Sequence, residues 1–370
     1  MPRSCQLRAV ARLFGLLLAA LVFAAQTAQA DPPAQSARTA QPAQAGESAS
    51  PASPLRVTLL LEHDGGQPWT DLLRAGLARA ERDFPLRATV LVAPPEGDQQ
   101  ETFRQAARES DLVLVASDRL HEILRNNAAN FRNTMFGCID AGVRAPNIMS
   151  VTFADEQAAY LAGAAAAMLT GRTGLPGINR DKAVGWLSGE DTPALRSLFN
   201  GFSEGARLID PEIRVINAVA GSFTDARAAR GQARRLLDQG VDVLALAAGA
   251  GNEGALEEAR QRGIYIVGLD TDHARILPGH ALTSILKRAD KAVYEIVAAA
   301  SQGNFQGKKI ITYDLGNDGV GIADTRPFTD AAGQNAPPDL ERRLKELRAE
   351  LLSGSIRLKS LRARTLCDCL

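Results

Sequence analysis

The sequence contains few of the residues on which catalytic, metal-binding and disulfide-rich proteins depend. Its 370 residues include four histidines and four cysteines. The histidines lack the spacing of a metal site, no serine lies in a Gly-x-Ser-x-Gly turn, and no cysteine–histidine pair stands out. So few cysteines exclude a fold held together by disulfides, and Cys138, which ends an apolar strand, is most simply a buried small residue. We therefore expect no catalytic constellation, metal or cofactor, and predict a protein that is not an enzyme.

The sequence also lacks an excess of charge of one sign. It has 42 lysines and arginines against 42 aspartates and glutamates, a formal net charge of +0 at pH 7. A chain without a dominant field does not attract nucleic acid or anionic lipid through electrostatics alone. The expected partner is therefore small or specific, and is not a nucleic acid.

The apolar run near the N-terminus is too short for a permanent membrane span. It covers Leu13–Ala25, whereas a spanning helix needs about 20 apolar residues. Three arginines precede the run and Ala28 and Ala30 follow it, as in a cleavable secretory signal. Residues 1–30 are therefore predicted to be a signal peptide of an exported, soluble protein. Cys5 lies before the run, so no lipid-anchor cysteine is expected after it.

Two terminal segments are not assigned to either lobe from the sequence. Residues 31–54 consist largely of Ala, Pro, Gln and Ser, a composition that cannot offset the entropy of ordering a chain and that predicts a disordered linker. Residues 325–370 are predicted to form a charged amphipathic helix, from Asp339 to Leu352, and a tail. For Cys367 and Cys369 in that tail, a strained disulfide, a metal contact and no special role are all open alternatives.

Between these ends, apolar runs alternate with helical patterns. Runs such as VTLLLE, ATVLVA and DLVLVAS are separated by predicted helices. Continuous Val/Leu/Ile runs of this kind indicate parallel strands covered by helices on both faces. A second series begins with the helix Glu156 to Thr170 and ends with IYIVGLD. The sequence thus predicts an α/β fold of two lobes, with a ligand crevice at the carboxyl ends of the strands.

The segments after Asp272 are predicted to return to the earlier lobes. LTSILKRADKAVYEIVAAASQG is predicted to be a helix whose apolar stripe comprises Ala289, Val293, Ile296 and Val297. The first lobe is expected to comprise residues 55–152 with about 279–307, and the second residues 153–278 with about 308–324. Both lobes would then be discontinuous in sequence.

Three glycines have the spacing Gly-x-Gly-x-x-Gly between an apolar strand and a helix: Gly249, Gly251 and Gly254. Asp270 ends the next strand, about where a dinucleotide site has its ribose-binding acid. One alternative is therefore an exported Rossmann-type, dinucleotide-dependent enzyme. However, the pattern lies in the second lobe, and export removes a protein from the cytoplasmic cofactor pool. The better prediction is a turn whose glycines let the backbone approach another ligand.

Polar and aromatic residues lie where predicted strands end. Trp69 follows the first strand, Phe223 lies in GSFTD, and Asp140 and Asp270 end strands. Each has a structural alternative, since the rings can be core residues and the acids turn or helix caps; Lys287 is by default a solvated helix lysine. Carboxylates at such positions can accept paired hydrogen bonds from vicinal hydroxyls, and aromatic rings can stack on a planar base. The shared position predicts one binding cleft.

Several long segments together resemble a known family. They include FGCIDAGVRAPNIMSVTFADEQAAYLAG, GSFTDARAARGQARRLLDQGVDVLALAAGAGNEG, IYIVGLDTD and LTSILKRADKAVYEIV. These segments are similar to the basic membrane protein family, the substrate-binding components of ABC importers, many of which bind purine nucleosides. The resemblance implies a type I periplasmic binding protein fold, in which two Rossmann-like lobes with parallel sheets close on ligand about a hinge. It also implies a periplasmic protein, expected to be a monomer, that delivers its ligand to an inner-membrane ABC permease. A sensor that docks on a membrane receptor is an alternative with the same fold.

The resemblance implies ligand-binding roles for six residues, which comprise two stacking aromatics, two strand-end acids, a close-approach glycine and a lysine. They are Trp69 and Phe223, Asp140 and Asp270, Gly249, and Lys287. The segment Gly66–Thr70 departs from the family pattern, which has asparagine where this chain has Thr70. Thr224 also stands where the family often has asparagine. Threonine cannot offer a base edge the paired donor and acceptor of an amide. The expected ligand is therefore a nucleoside, by family a purine nucleoside, or a similar molecule that joins a ring to a polyol.

Overall fold

The computed structural model of the protein describes residues 53–63, 66–93 and 97–359. The predicted signal peptide, the predicted linker as far as residue 52, and Cys367 and Cys369 lie outside the described residues. Cys138 lies within them and is buried, as predicted.

The described ranges contain twelve strands and ten α-helices in a largely alternating order. The strands are β1 (Leu55–Leu61), β2 (Leu86–Val92), β3 (Leu112–Val115), β4 (Met135–Ile139), β5 (Ile148–Phe153), β6 (Ala183–Ser188), β7 (Arg214–Val219), β8 (Val241–Ala247), β9 (Tyr265–Asp270), β10 (Ala281–Lys287), β11 (Ile310–Tyr313) and β12 (Val320–Ile322). The helices are α1 (Pro68–Asp83), α2 (Gln99–Glu109), α3 (Asp118–Asn127), α4 (Asp155–Leu169), α5 (Pro193–Ile209), α6 (Ala226–Asp238), α7 (Asn252–Arg262), α8 (Ala289–Ser301), α9 (Arg326–Ala332) and α10 (Leu340–Leu352).

The strands form two six-stranded sheets, each the centre of one lobe. The first has the order β2-β1-β3-β4-β5-β11 and all its pairs are parallel. The second has the order β7-β6-β8-β9-β10-β12, and is parallel except for the edge strand β12, which pairs antiparallel with β10. The predicted α/β class with two parallel-dominated sheets is confirmed.

Helices cover both faces of each sheet. In the first lobe, α1 and α8 pack on each other on one side and α2 and α3 lie on the other. In the second lobe, α4 and α5 form one layer and α6 and α7 the other. Strands buried on both faces explain why the sequence shows continuous apolar runs instead of strict alternation.

The chain passes between the lobes at three points in the described residues: between β5 and α4, between β10 and α8, and between β11 and β12. Such crossings form the hinge of a two-lobed binding protein, because they are the only covalent links that must bend when the lobes move. They lie beside the carboxyl ends of β5 and β10, close to the crevice between the sheets.

The lobes to which β10 and β11 belong differ from the predicted ones. β10 lies in the second sheet, although residues 279–307 were expected in the first lobe, and β11 lies in the first sheet, although residues 308–324 were expected in the second. The helical prediction for LTSILK is also wrong, because these residues form β10 and α8 begins only at Ala289. A short buried apolar run is compatible with helix or strand, and pairing with β9 decides it here. The predicted apolar stripe of α8 is buried, and α8 itself packs on the first lobe as expected.

Two helices of the second lobe approach each other unusually closely. A Cβ atom on Gly205 of α5 would lie 1.9 Å from the Tyr160 carbonyl oxygen of α4, and one on Gly163 would lie 1.9 Å from the Phe202 carbonyl oxygen. Backbone therefore packs on backbone at this contact, and the helices cannot accept a methyl group without separating.

Replacing Gly205 with alanine is therefore expected to destabilise the protein by about 2 kcal/mol or more, as overpacking in a filled core does. Chemical denaturation of the two proteins would measure the difference. Gly231→Ala is the matched control, since Gly231 lies inside α6 with nothing within 4 Å of an added Cβ. That change is expected to be neutral or to stabilise by up to about 1 kcal/mol, the helix-propensity gain. Equal effects of the two substitutions would contradict the proposed close contact.

Candidate functional site

A cavity of about 420 Å³ lies between the two sheets, at the carboxyl ends of their strands. This is where ligands bind in open parallel sheets. The structure brings together all six residues predicted for the site, and every one of them lines the cavity: Trp69, Asp140, Phe223, Gly249, Asp270 and Lys287. Their arrangement indicates what kind of molecule fits there.

Trp69 forms the aromatic wall of the first lobe. It lies in the first turn of α1, directly after Pro68, which is favoured at the start of a helix. Its indole Nε1 donates a hydrogen bond of 3.2 Å to the carbonyl oxygen of Ala116. Its ring also meets Phe153 edge to face, with centroids 6.3 Å apart and an interplanar angle of 77°. These contacts fix the ring while leaving it partly exposed to the cavity.

Phe223 forms the aromatic wall of the second lobe. Its ring lies against Gly189, where an added Cβ would be 2.4 Å from Phe223 Cδ1. Its carbonyl oxygen accepts a hydrogen bond of 2.9 Å from the amide of Gly251. Phe223 is partly exposed, so one ring from each lobe borders the same space.

Two glycines of the Gly-x-Gly-x-x-Gly pattern meet different structural requirements. Gly249 has a φ of +58°, and an added Cβ would lie 3.0 Å from the Phe223 carbonyl oxygen, so the backbone needs glycine there. Gly254 instead lies within α7, where an added Cβ would be 1.8 Å from the Ala226 carbonyl oxygen of α6. Of the three glycines, only Gly249 lines the cavity. The pattern is explained by a close-approach turn and by helix packing.

The two strand-end acids share an uncommon backbone conformation. Asp140 has a φ of 75° and Asp270 a φ of 69°, both in the left-handed region that aspartate tolerates better than most residues. Each ends or follows a strand of its own sheet, β4 for Asp140 and β9 for Asp270. The turn after each strand thus presents a carboxylate to the cavity from each lobe.

Lys287 joins the lobes through a buried ion pair. Its Nζ lies 2.8 Å from Asp140 Oδ2 and 2.9 Å from Asp155 Oδ2, and the residue is only 5% exposed. The ammonium also lies 4.9 Å from the ring centroids of both Trp69 and Phe153. Burial alone would lower the pKa of Lys287, but the three carboxylates of Asp140, Asp155 and Asp270 raise it, so the ammonium is charged at neutral pH. Lys287 is therefore no solvated lysine.

Three carboxylates, those of Asp140, Asp155 and Asp270, lie near the single ammonium of Lys287. Burial raises the pKa of Asp155 in spite of its ion pair with Lys287, and the nearby Asp140 adds to the rise. Burial also raises the pKa of Asp270 to about 6, against the attraction of Lys287. No described residue donates a hydrogen bond to the Asp270 carboxylate, so its oxygens are available to a ligand that carries hydroxyl groups.

The raised pKa of Asp270 predicts opposite effects of pH on ligand binding and on stability. Only the ionised carboxylate accepts two hydroxyl hydrogen bonds, so affinity for a diol ligand should fall about tenfold between pH 7 and pH 5. The contribution of Asp270 to the stability of the ligand-free protein is greatest at pH values below the ordinary carboxyl pKa. This contribution is lost as the pH rises through about 6. Isothermal titration at several pH values would measure the first effect and chemical denaturation the second. Asp270→Asn should flatten both pH profiles, except for the pH dependence that Asp155 causes. Unchanged profiles would contradict the assignment of these effects to Asp270.

Sequence reasoning missed two residues of the site. Asp155, the first residue of α4, is buried at 2% exposure beside Lys287, and its only signal was an acid in the first turn of a helix after a strand. Gln67 precedes α1 and lines the cavity. Its segment, Gly66–Thr70, was noted only as a departure from the family pattern, without a role for Gln67. Thr70 and Thr224, the two departures noted in the sequence, both line the cavity.

A family profile described as Bmp, ABC transporter substrate-binding protein PnrA-like, matches residues 63–346. The chain belongs to this family. Basic membrane protein B of Borrelia garinii subsp. bavariensis is 26% identical over 268 residues, which cover 68% of this chain and 75% of that protein. Basic membrane protein A of Borreliella burgdorferi is 30% identical over 220 residues, which cover 58% and 62%. Several curated relatives are thus matched over about three fifths of their length.

Solved structures agree with the fold. The crystal structure of an ABC transporter solute-binding protein from Aeropyrum pernix K1 has a TM-score of 0.72 to this chain at 24% identity, covering 82% of this chain and 93% of that one. A second solute-binding protein, from Conexibacter woesei, has a TM-score of 0.62 at 22% identity, covering 83% and 99%. The predicted family and the type I periplasmic binding protein fold are both confirmed. None of the helices in the described ranges has the length and apolar character needed to cross a membrane.

Proposed function

We propose that this substrate-binding protein captures a nucleoside, of which purine nucleosides are the first candidates, or a similar ring-plus-polyol molecule. The observation that carries the proposal is the arrangement of Trp69, Phe223 and Asp270 around one cavity. Two rings, one from each lobe, border the space in which a planar base can stack. Asp270 offers unpaired carboxylate oxygens to the vicinal hydroxyls of a sugar. A cavity of about 420 Å³ is within the usual range for small-ligand sites.

The charge of the cavity favours an uncharged ligand over a phosphorylated one. Its lining contains five acids, Glu62, Asp118, Asp140, Glu190 and Asp270, against three cations, Arg119, Lys287 and His121. Burial lowers the pKa of His121, but the contact with Asp118 and other neighbours raises it to about 10. The ammonium of Lys287 is already engaged by carboxylates. The lining as a whole is acidic, so a phosphate group would meet net repulsion as it loses its hydration. This supports a nucleoside as ligand and not a nucleotide.

We propose a periplasmic monomer that hands its ligand to an ABC permease in the inner membrane, with no nucleic acid partner and no catalytic role. Export rests on residues 1–30 of the sequence, and delivery to a permease on the family. The dinucleotide-enzyme alternative has no support, since two glycines of its pattern do not line the cavity. A receptor-docking sensor would use the same cleft, and neighbouring genes for a permease and an ATPase, or for a receptor kinase, would distinguish these roles.

Isothermal titration of the purified protein against a panel would test the ligand class. The panel contains purine and pyrimidine nucleosides, free bases, ribose, nucleoside monophosphates and NAD. At least one nucleoside should bind with a dissociation constant of about 1 μM or lower, more tightly than its base, its sugar or its monophosphate. A folded protein that binds no nucleoside would overturn the proposal. Saturable binding of NAD alone would favour the enzyme alternative.

A further inference from the structure

One buried nitrogen atom that borders the cavity, Nε2 of Gln67, has no hydrogen-bond partner within the described part of the chain. Gln67 is the residue immediately before α1, and its backbone carbonyl accepts the hydrogen bond of 3.0 Å from the amide of Asp71 that starts the helix. Its side chain does not cap the helix. The residue is only 9% exposed, and its Nε2 is buried without a hydrogen-bond partner among the described residues. Buried amide donors are almost always paired, so this one indicates a partner that comes with the ligand.

The side-chain amide of Gln67 lies at the boundary between the two lobes. Its Oε1 lies 3.5 Å from the point that a Cβ on Gly249 would occupy, so it reaches from the first lobe to the turn of the second. Trp69 is two residues further along the same turn, and Phe223 packs beside Gly249. The amide therefore lies beside the space between the two aromatic rings. A ring stacked there would have its edge directed to the surrounding polar groups.

We infer that Gln67 reads the hydrogen-bonding edge of the ligand's ring. An amide has a donor and an acceptor side by side, and it pairs with a ring edge that has the complementary acceptor and donor. The ligand class is thus a heterocycle with such a pair, for example a lactam N–H beside a carbonyl or a ring nitrogen beside an amino group. The inference rests on the proposed function and adds the residue that selects among nucleosides. Thr70, also buried in this wall, has only a single hydroxyl to offer.

The test compares three variants with the wild-type full chain by isothermal titration. Gln67→Leu and Gln67→Met keep the size of the side chain and remove both hydrogen-bonding groups, and Gln67→Glu keeps the acceptor and removes the donor. The probes are inosine, guanosine, adenosine and purine riboside, which has the same ring system and sugar but no exocyclic group. Gln105→Leu is the matched control, because Gln105 is exposed on α2, away from the cavity. Circular dichroism and thermal unfolding establish that each variant is folded.

The expected result is a selective loss. Gln67→Leu and Gln67→Met should weaken the tightest-binding substituted nucleoside by about tenfold or more, and purine riboside by less than about threefold. Gln67→Glu should change the order of preference among the substituted nucleosides, and Gln105→Leu should change nothing. An equal loss for all four probes would assign Gln67 to lobe closure and overturn the inference, as would no loss for any. If the folded wild type binds none of these four purine probes, the inference is overturned. The proposed function fails as well only if the wild type also binds none of the pyrimidine nucleosides in the panel.

Discussion

Lys287→Met is expected to lower the free energy of unfolding by about 3 kcal/mol or more, the usual cost of removing one partner of a buried ion pair. The substitution leaves Asp155, at 2% exposure, and Asp140 without the ammonium that lies 2.8–2.9 Å from their oxygens. Methionine fills similar volume, so the loss reports charge and not a cavity. Chemical denaturation of the ligand-free protein would measure it at pH 7, where the raised pKa of Lys287 keeps the ammonium charged.

Two further variants separate the ion pair from other effects of the substitution. Lys345→Met removes an exposed lysine from α10 and should change the stability by less than about 0.5 kcal/mol. Adding Asp155→Asn to Lys287→Met removes one uncompensated charge. The double variant should regain about 1 kcal/mol or more in free energy of unfolding relative to Lys287→Met, and a double-mutant cycle measures this coupling. A Lys287→Met protein as stable as the wild type would show that the pair between the lobes does not stabilise the fold.

Asp270→Asn is expected to weaken the binding of a ribose-containing ligand by about tenfold to a hundredfold, which corresponds to about 1–3 kcal/mol for a hydrogen-bonded charged group. The amide keeps one acceptor but cannot accept from two hydroxyls in the geometry of a carboxylate. The loss should be much smaller for the 2′,3′-dideoxy analogue, which has no vicinal hydroxyls. Titration of both ligands with both proteins would measure the difference.

The same substitution should stabilise the ligand-free protein. Burial raises the pKa of Asp270 to about 6, so the charged form destabilises the fold at neutral pH and its removal relieves that cost. Asp272→Asn is the matched control, because Asp272 is exposed and its side chain accepts a hydrogen bond from the Ala274 amide, at 2.9 Å. If Asp270→Asn left ligand affinity unchanged, or destabilised the ligand-free protein, the carboxylate would have a structural role instead.

Local sequence patterns predicted the positions of the site residues well. Ligand crevices form at the carboxyl ends of parallel strands, so recognising the strands sufficed to place Asp140 and Asp270 at the crevice, each at the end of a strand of its own sheet. The same reasoning placed Trp69 and Gly249, which follow β1 and β8. The six residues predicted for the site do line one cavity. Their ligand-binding roles remain predictions.

Long-range pairing was harder to predict. β10 and the helix after it formed one apolar stretch, and only the hydrogen bonds between β10 and β9 make its first part a strand. The ion pair of Lys287 with Asp155 could not be predicted from local patterns, because the two residues are 132 positions apart in sequence. Gln67 lies in the departing segment Gly66–Thr70, but no role for its side chain followed from the sequence, since its significance depends on burial and on the absence of a partner among the described residues. Each miss depends on tertiary structure, which local sequence patterns do not contain.

A crystal structure of the protein with its tightest-binding nucleoside tests the central claim most directly. The account predicts that the base is stacked between Trp69 and Phe223, and that sugar hydroxyls lie within about 3 Å of the Asp270 carboxylate. The ring edge should face Gln67. A nucleoside bound outside this cavity, or bound in it with its sugar away from Asp270 and its base unstacked, would contradict the account.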